Sequence, residues 1–193
     1  MKCYLNITLL PNADITLYFL WEKLYQQLHL ALVESQDADG KVSIGVAFPD
    51  YDSEKNQLGN KLRVFAPSQE ILEKLKINEW LSRMSDYVHI SSIHNVPEKM
   101  EGYIFFKRIQ PKGSNARLAR RKAKRENMSC VAALSYFMDR EEQASKLPFI
   151  RIKSQSSGKR YRLIIARENA GDSQTMDGFS SYGLSSKSSV PNF

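Results

Sequence analysis

Residues 2–35 read KCYLNITLLPNADITLYFLWEKLYQQLHLALVES, and two periodicities meet in that one stretch. Residues 2–10 are β-rich and partly alternating, as expected of a strand with one buried face. From Ile15 to about Ser35 the period changes, and Leu17, Leu20, Trp21, Leu24, Leu28 and Leu32 fall on one helical stripe. Working outward, Gly40 closes the loop after that helix. Ser43–Phe48 and Leu62–Ala66 read as short strands, with the polar stretch Asp50–Gly59 a surface loop between them. Ser68 is placed to cap a second helix, and Glu70 stands in its first turn, where the helix dipole favours an acid. Ile71, Leu72, Leu75, Trp80 and Leu81 carry that helix to about Met84. Val88–Ile93 is a further strand, broken by Pro97. The order is βαββαβ, the ferredoxin-like pattern shared by RNA-recognition domains. The sequence therefore predicts an α+β protein whose residues 1–96 form an N-terminal ferredoxin-like (RRM-like) domain.

Residues 97–193 follow another plan. Tyr103–Gln110 is strand-like, a basic helix and a second helical stretch of about Ser129–Ser145 come next, and Pro148–Lys153 pairs with Arg160–Ile165 as a hairpin across Ser-Ser-Gly at 156–158. The tail 173–190 is rich in Ser and Gly and has no helical period. These residues are expected to form a C-terminal α/β domain with an arginine-rich helix. There is no internal repeat and no low-complexity linker, so the two halves are expected to pack closely.

The chain has 193 residues, of which 42% are hydrophobic and 10% aromatic, enough for a real core and too many for global disorder. Its formal charge is +7, and that charge is local. Between Lys107 and Arg125 stand nine basic residues and no acid; taking those nine away from +7 leaves −2. Residues 1–95 carry −3 and residues 96–193 carry +10. Within the basic segment, Arg108 and Gln110 are two apart and would share one face of an extended strand. Arg117, Arg120, Arg121, Lys124 and Arg125 fall at i, i+3, i+4, i+7 and i+8, one continuous stripe on a helix. Gly113, Ser114 and Asn115 mark the turn between, with Ser114 or Asn115 a natural N-cap. Like charges so placed repel by a few tenths of a kcal/mol per pair, roughly, on an isolated helix. A phosphate lattice would neutralise them, which points to nucleic acid. A solvated helix face is the plainer alternative, although such a face usually mixes its signs.

Other chemistries find little support. Cys3 and Cys130 stand far apart, and His29, His89 and His94 are scattered, so no metal-ligand spacing is visible and neither metal nor cofactor is expected. The N-terminal stretch is too short and too polar downstream for a signal peptide, and no apolar run has membrane-spanning length. A soluble, intracellular protein is expected. His29 lies near the C-terminal end of the first helix, where the dipole favours a cationic imidazole. On the residues alone it reads more simply as a helix-flank histidine of no special role. Ser154–Arg162 gathers Ser154, Ser156 and Ser157 beside Gly158 and several bases, a loop that could hold one phosphate or be an ordinary hairpin turn. Tyr161 could stack on a base or be a strand aromatic. Tyr182 is an odd core aromatic for a Ser/Gly-rich tail.

Several stretches, taken together, resemble the CRISPR type I-F precursor-RNA-processing endoribonucleases. They are LHLALV (28–33), IGVAFPD (44–50), LGNKLRV (58–64), RIQPK (108–112), RLARRKAKR (117–125), LPFIRIKSQSSGKRYRLII (147–165) and YGLS (182–185). They occur in order along nearly the whole chain; the SQS-x-G hairpin and YGLS are the specific ones. The resemblance implies an N-terminal ferredoxin-like domain and a C-terminal domain offering its arginine-rich helix to a CRISPR repeat hairpin RNA. It implies a cut at the 3′ base of the stem without metal or cofactor, through the upstream 2′-hydroxyl, leaving a cyclic phosphate and a 5′-hydroxyl. By position, His29 would be the general base, Ser154 would position the 2′-hydroxyl, and Tyr182 would orient the histidine. Arg108 and Gln110 would bond base edges low in the stem, and Lys112 beside them would also contact the RNA. Arg117, Arg120, Arg121, Lys124 and Arg125 would follow groove and phosphates, Tyr161 would stack under the terminal base pair, and Ser156 and Ser157 would sit near the scissile phosphate. The product crRNA would stay bound, with other subunits of the type I-F surveillance complex as partners in the prokaryotic cytoplasm and no membrane association. Lys124 stands where the family would have Arg, turning a bidentate fork into a point charge. Tyr161 stands where it would have Phe, keeping the ring and adding a hydroxyl.

Two other functions fit parts of the pattern: a non-catalytic RNA binder, which has no use for His29 with Ser154, and an assembly subunit meeting an acidic protein surface, which would have no RNA affinity. If the stripe binds phosphates, log K for a stem-loop RNA falls linearly with log salt. Arg120→Ala combined with Arg121→Ala then flattens the slope by about 1.5, at roughly 0.7–0.9 per contact. The preferred stem sequence stays unchanged. Binding measured across a salt series checks this, and an unchanged slope would turn the stripe into a solvated face.

Overall fold

The protein is described from a computed structural model, which covers residues 1–110, 115–137, 147–154 and 158–193. The architecture is α+β with antiparallel sheets. Strand β1 (Cys3–Leu9) buries Cys3, Leu5, Ile7 and Leu9 in strict alternation and exposes the residues between more fully. Helix α1 (Leu17–Glu34) follows, with the Thr16 hydroxyl accepting from the Phe19 N–H as N-cap. Its buried stripe is Leu20, Trp21, Leu24, Tyr25, Leu28, Ala31 and Leu32, so the expected stripe holds except that Leu17 lies at its edge and Tyr25 lies within it.

Strands β2 (Gly45–Ala47) and β3 (Lys61–Ala66) come next, and β4 (Val88–Ile90) and the short β5 (His94–Asn95) complete the first sheet. Its order is β2-β3-β1-β4, with β5 also on β1, and every pairing is antiparallel. The single second helix expected from Ser68 to Met84 is instead α2 (Gln69–Lys74), α3 (Ile77–Trp80) and a 3₁₀ turn over Ser82–Tyr87. Lys76, at φ 50°, makes the break. At 100° per residue, an unbroken helix would set Leu72 and Leu75 roughly opposite Ile77, Leu81 and Met84. All five are buried, so the chain resets its phase at Lys76 to bring both sets inward.

The second sheet has the order β7-β8-β6-β9, from β6 (Tyr103–Ile109), β7 (Phe149–Lys153), β8 (Arg160–Gly171) and β9 (Val190–Pro191). The β7/β8 hairpin pairs Lys153 with Arg160 and Phe149 with Ile164, as expected, but β8 runs on to Gly171 to pair with β6. The inward residues of both sheets enter one core. The tail is not loose. Phe179, Leu184 and Val190 are buried, the backbone of Phe179 exchanges hydrogen bonds of 2.9 Å with Val42, and the Val46 N–H reaches the Gly183 carbonyl at 3.0 Å. The Ser185 N–H donates to the Phe106 carbonyl at 2.9 Å, so residues 179–185 form a strap from β2 to β6.

By the distribution of contacts the chain forms two compact units, one of Met1–Ile109 with Leu147–Phe193, the other of Gln110–Lys146. In the second, α4 (Asn115–Glu126) packs Ala119 and Ala123 with Ala133 of α5 (Cys130–Ser135), flanked by Met128 and Phe137. Asn127, at φ 50°, and the Met128 N–H bond to the Ala123 carbonyl (3.1 Å) end α4 in a Schellman turn. Ser129 caps α5 through the Ala132 N–H at 3.1 Å. The Ser114 capping position and the rest of the second helical stretch, residues 138–145, lie outside the described residues. Among the described residues, no helix is long and apolar enough to cross a membrane, and no group of three or more His, Cys, Asp or Glu side chains gathers where a metal could be held.

Gly45 tests the strap. A Cβ there would lie 2.7 Å from both the Phe179 ring and Val190 Cγ1. Gly45→Ala is expected to cost about 1–3 kcal/mol, the usual price of overpacking, read as a lowered urea midpoint. An unchanged midpoint would mean the tail does not pack as described.

Candidate active site

The strap brings Tyr182 onto α1. His29, half-buried near the end of that helix, stacks its ring on Tyr182, with centroids 4.2 Å apart and planes 4° from parallel. His29 Nδ1 lies 2.8 Å from the Ser181 carbonyl oxygen. A carbonyl only accepts, so Nδ1 carries the proton and the neutral ring keeps its lone pair on Nε2. Ring orientation and tautomer are thus fixed by the strap, through the Ser181 carbonyl and the face of Tyr182.

Tyr182 is held in turn. Its carbonyl accepts from the hydroxyl of fully buried Tyr25 at 2.8 Å, and its own hydroxyl meets that of Tyr161 at 2.5 Å. Gly183 follows at φ 68°, a conformation glycine adopts without strain; a Cβ would also lie 2.7 Å from Val46 Cγ1. The Arg108 guanidinium lies over both tyrosines, 5.3 Å from the Tyr161 centroid and 5.6 Å from that of Tyr182. Arg108 itself is exposed, so the cluster opens to solvent on its cationic side. Burial, and then the hydrogen bond to Tyr182, raise the Tyr161 phenol well above the ordinary tyrosine value. Burial raises that of Tyr25 as well.

Four of the residues singled out from sequence, His29, Arg108, Tyr161 and Tyr182, therefore meet at one place. Ser154 follows β7 in the hairpin that carries Tyr161, two residues beyond Ile152, the cross-strand partner of Tyr161. Its N–H donates to the Lys159 carbonyl and its carbonyl accepts from the Gly158 N–H, both at 2.9 Å, which fixes the base of the turn. Gln110 follows β6, is exposed, and is the first residue of the other unit. Lys112, Ser156 and Ser157 lie outside the described residues. Within its own unit, α4 turns Ala119 and Ala123 inward and leaves Arg117, Arg120, Arg121, Lys124 and Arg125 exposed, the expected stripe. Lys122 falls off the stripe, bonded to Glu126 at 2.5 Å with its ammonium 4.3 Å from the Tyr136 centroid.

Sequence reasoning passed over Tyr25 and Ser181. Tyr25 had a signal, since it precedes His29 by four residues and so shares its helix face. Ser181 had none, because it acts through its backbone carbonyl, which every residue has.

Tyr25→Phe leaves the Tyr182 carbonyl without its donor, and the expected cost at pH 7 is about 1–3 kcal/mol. The sign with pH follows from the raised phenol: the unfolded tyrosine ionises near 10 while the folded one keeps its proton. Its contribution is complete below pH 10 and lost as pH rises further. Urea midpoints of wild type should therefore fall more steeply above pH 10 than those of Tyr25→Phe; parallel curves would sink this reading.

A family model described as CRISPR-associated protein (Cas_Csy4) matches residues 4–193. Two curated proteins, each named CRISPR-associated endonuclease Cas6/Csy4, align along the full length of both chains: one from Pseudomonas aeruginosa at 34% identity and one from Escherichia coli at 32%. A solved structure described as an RAMP protein binding different RNA substrates aligns over 98% of this chain and 99% of its own, with 12% identity and a TM-score of 0.33, too low to bear on fold or function. A match from residue 4 to the last residue, with full-length relatives about one-third identical, places the chain in the Csy4 family of CRISPR-associated proteins.

Proposed function

We propose that the protein is an endoribonuclease that binds CRISPR repeat stem-loops and cuts precursor crRNA at the 3′ base of the stem without a metal. The observation that carries the reading is the histidine: Nδ1–H committed to the Ser181 carbonyl leaves Nε2 as a base of fixed direction, on a ring stacked against the tyrosine that an exposed arginine covers. Support also comes from the relatives, which are named as CRISPR-associated endonucleases.

In this mechanism Nε2 of His29 takes the proton of the 2′-hydroxyl just upstream of the scissile phosphate, and Ser154 positions that hydroxyl. The 2′ oxygen forms its bond to phosphorus as the bond to the 5′ oxygen breaks, leaving a 2′,3′-cyclic phosphate and, once protonated, a 5′-hydroxyl. Proton transfer and in-line alignment are the chief demands, and a positioned base contributes about 10²–10⁴-fold. Tyr182 keeps the imidazole plane fixed by stacking. Arg108 and Gln110 bond base edges low in the stem, Lys112 contacts the RNA beside them, Tyr161 stacks under the terminal base pair, and Ser156 and Ser157 attend the phosphate. Arg117, Arg120, Arg121, Lys124 and Arg125 follow groove and backbone; long basic side chains can enter an A-form major groove near a stem end, though not in mid-helix.

The sheet order β2-β3-β1-β4 under the βαββαβ sequence supports a ferredoxin-like domain over residues 1–96, with 97–193 as the RNA-binding domain. The product stays bound, within a type I-F surveillance complex of the prokaryotic cytoplasm.

Purified protein should cut a repeat stem-loop in EDTA, with cyclic phosphate and 5′-hydroxyl ends. His29→Ala should lose about 10²–10⁴-fold in rate with RNA affinity near wild type. Cleavage that needs added metal, or ends bearing 3′-hydroxyl and 5′-phosphate, would contradict the mechanism. Tight binding without cleavage by wild type would favour the non-catalytic reading.

A further inference from the structure

The β7/β8 hairpin carries charge for which the cutting site has no use. Register sets Arg151 opposite Arg162 and Lys153 opposite Arg160, and all four side chains are exposed. Like charges directly opposed weaken a strand pair, and here two such pairs stand in succession. Among the described residues no carboxylate lies within ion-pair distance of them. Alternation turns Ile150, Ile152 and Leu163 into the core with Tyr161 on their side, so the cations occupy the opposite face. They begin one residue from Ser154; Arg151 and Lys153 stand on β7, the edge strand of this sheet among the described residues, and Arg160 and Arg162 on β8 beside it.

The far end of this face is aromatic. Phe149 meets Tyr18 of α1 with centroids 6.2 Å apart, the Arg162 guanidinium lies 4.8 Å from the Phe149 centroid, and Tyr18 is 60% exposed. Both rings line a cavity of about 290 Å³, together with Trp21 and Lys55. Cations leading to an exposed ring and a half-buried one suit single-stranded nucleic acid, whose phosphates track charge and whose bases stack. An acidic protein would answer the charges but not the ring-lined cavity.

We propose that this face binds the single-stranded RNA on the 3′ side of the cut. The proposal rests on the function assigned above: with the scissile phosphate at the hairpin tip, the strand beyond it starts beside Lys153 and Arg160. The five steps from Ser154 back to Phe149 span about 17 Å at roughly 3.3 Å each, room for a few nucleotides. Arg151 and Arg162 hold phosphates, and Tyr18 with Phe149 receives a base.

The test uses the full-length protein and uncleavable stem-loops with a 2′-deoxy sugar at the cut site. One RNA ends at the cut, a second adds six unpaired nucleotides on the 3′ side, and a third adds six on the 5′ side. Wild type is expected to bind the 3′-flanked RNA at least tenfold tighter than the stem alone, with a salt slope steeper by about 1.4 for two added phosphates. Arg151→Ser with Arg162→Ser should erase that gain and leave stem affinity unchanged; Tyr18→Ala should remove part of it. Equal affinity for flanked and bare stems would overturn the proposal and leave the face to an acidic protein. A gain from the 5′ flank alone, or a double variant that weakens all three RNAs alike, would overturn it too. Binding of the 3′-flanked RNA with none of the bare stem would sink the stem reading while keeping the track, and binding of none would sink both.

Discussion

His29 and the carbonyl that fixes it are 152 positions apart in the chain. The bond is short because the strap over 179–185 is tied on both sides, to Val42 and Val46 near β2 and to Phe106 in β6. Strap and helix are fastened a second time where the Tyr25 hydroxyl meets the Tyr182 carbonyl. A backbone carbonyl is a good orienter only where its own peptide cannot turn, and here the flanking peptides are hydrogen-bonded and Phe179 and Leu184 are anchored in the core. The direction of Nε2 is therefore a property of the packed tail as much as of α1.

The cations follow a different physical logic. Among the described residues of the unit of α4 and α5, three buried alanines pack together, flanked by Met128 and Phe137. Each buried methyl contributes about 0.8 kcal/mol, while the like charges of the exposed basic stripe repel one another. Stability is spent on a charged surface, a bargain that makes sense where a polyanion relieves the repulsion. Lys122 lies off the stripe, paired with Glu126 and set over the Tyr136 ring, and Arg125 of the stripe shares that same carboxylate.

Periodic features were legible from sequence. The α1 stripe, the alternation of β1, the hairpin register and the arginine stripe all repeat at the spacing their structures impose. The second helix was misread because its apolar residues are dense enough to suggest continuity, and only their phase, Leu72 and Leu75 against Ile77 and Leu81, betrays the break at Lys76. The strap was invisible to pattern, since Phe179 and Leu184 are buried singly by an irregular chain. Of the site, His29, Arg108, Tyr161 and Tyr182 were picked out one by one, their specific roles coming from family resemblance. Their meeting, and the hydroxyl contact that Tyr161 makes because it is not Phe, emerged only from the fold.

The strap also separates two kinds of failure. Its hold rests on a few backbone bonds and two buried side chains, Phe179 and Leu184, whereas the sheets set many side chains into the shared core. Segments held this way open locally at a lower free energy than the whole molecule. An opened strap removes the Ser181 carbonyl and the Tyr182 ring together, leaving the imidazole free to rotate and exchange tautomers. On warming, such a molecule becomes inert while still folded, and its activity reports the integrity of seven tail residues before it reports the melting of the protein.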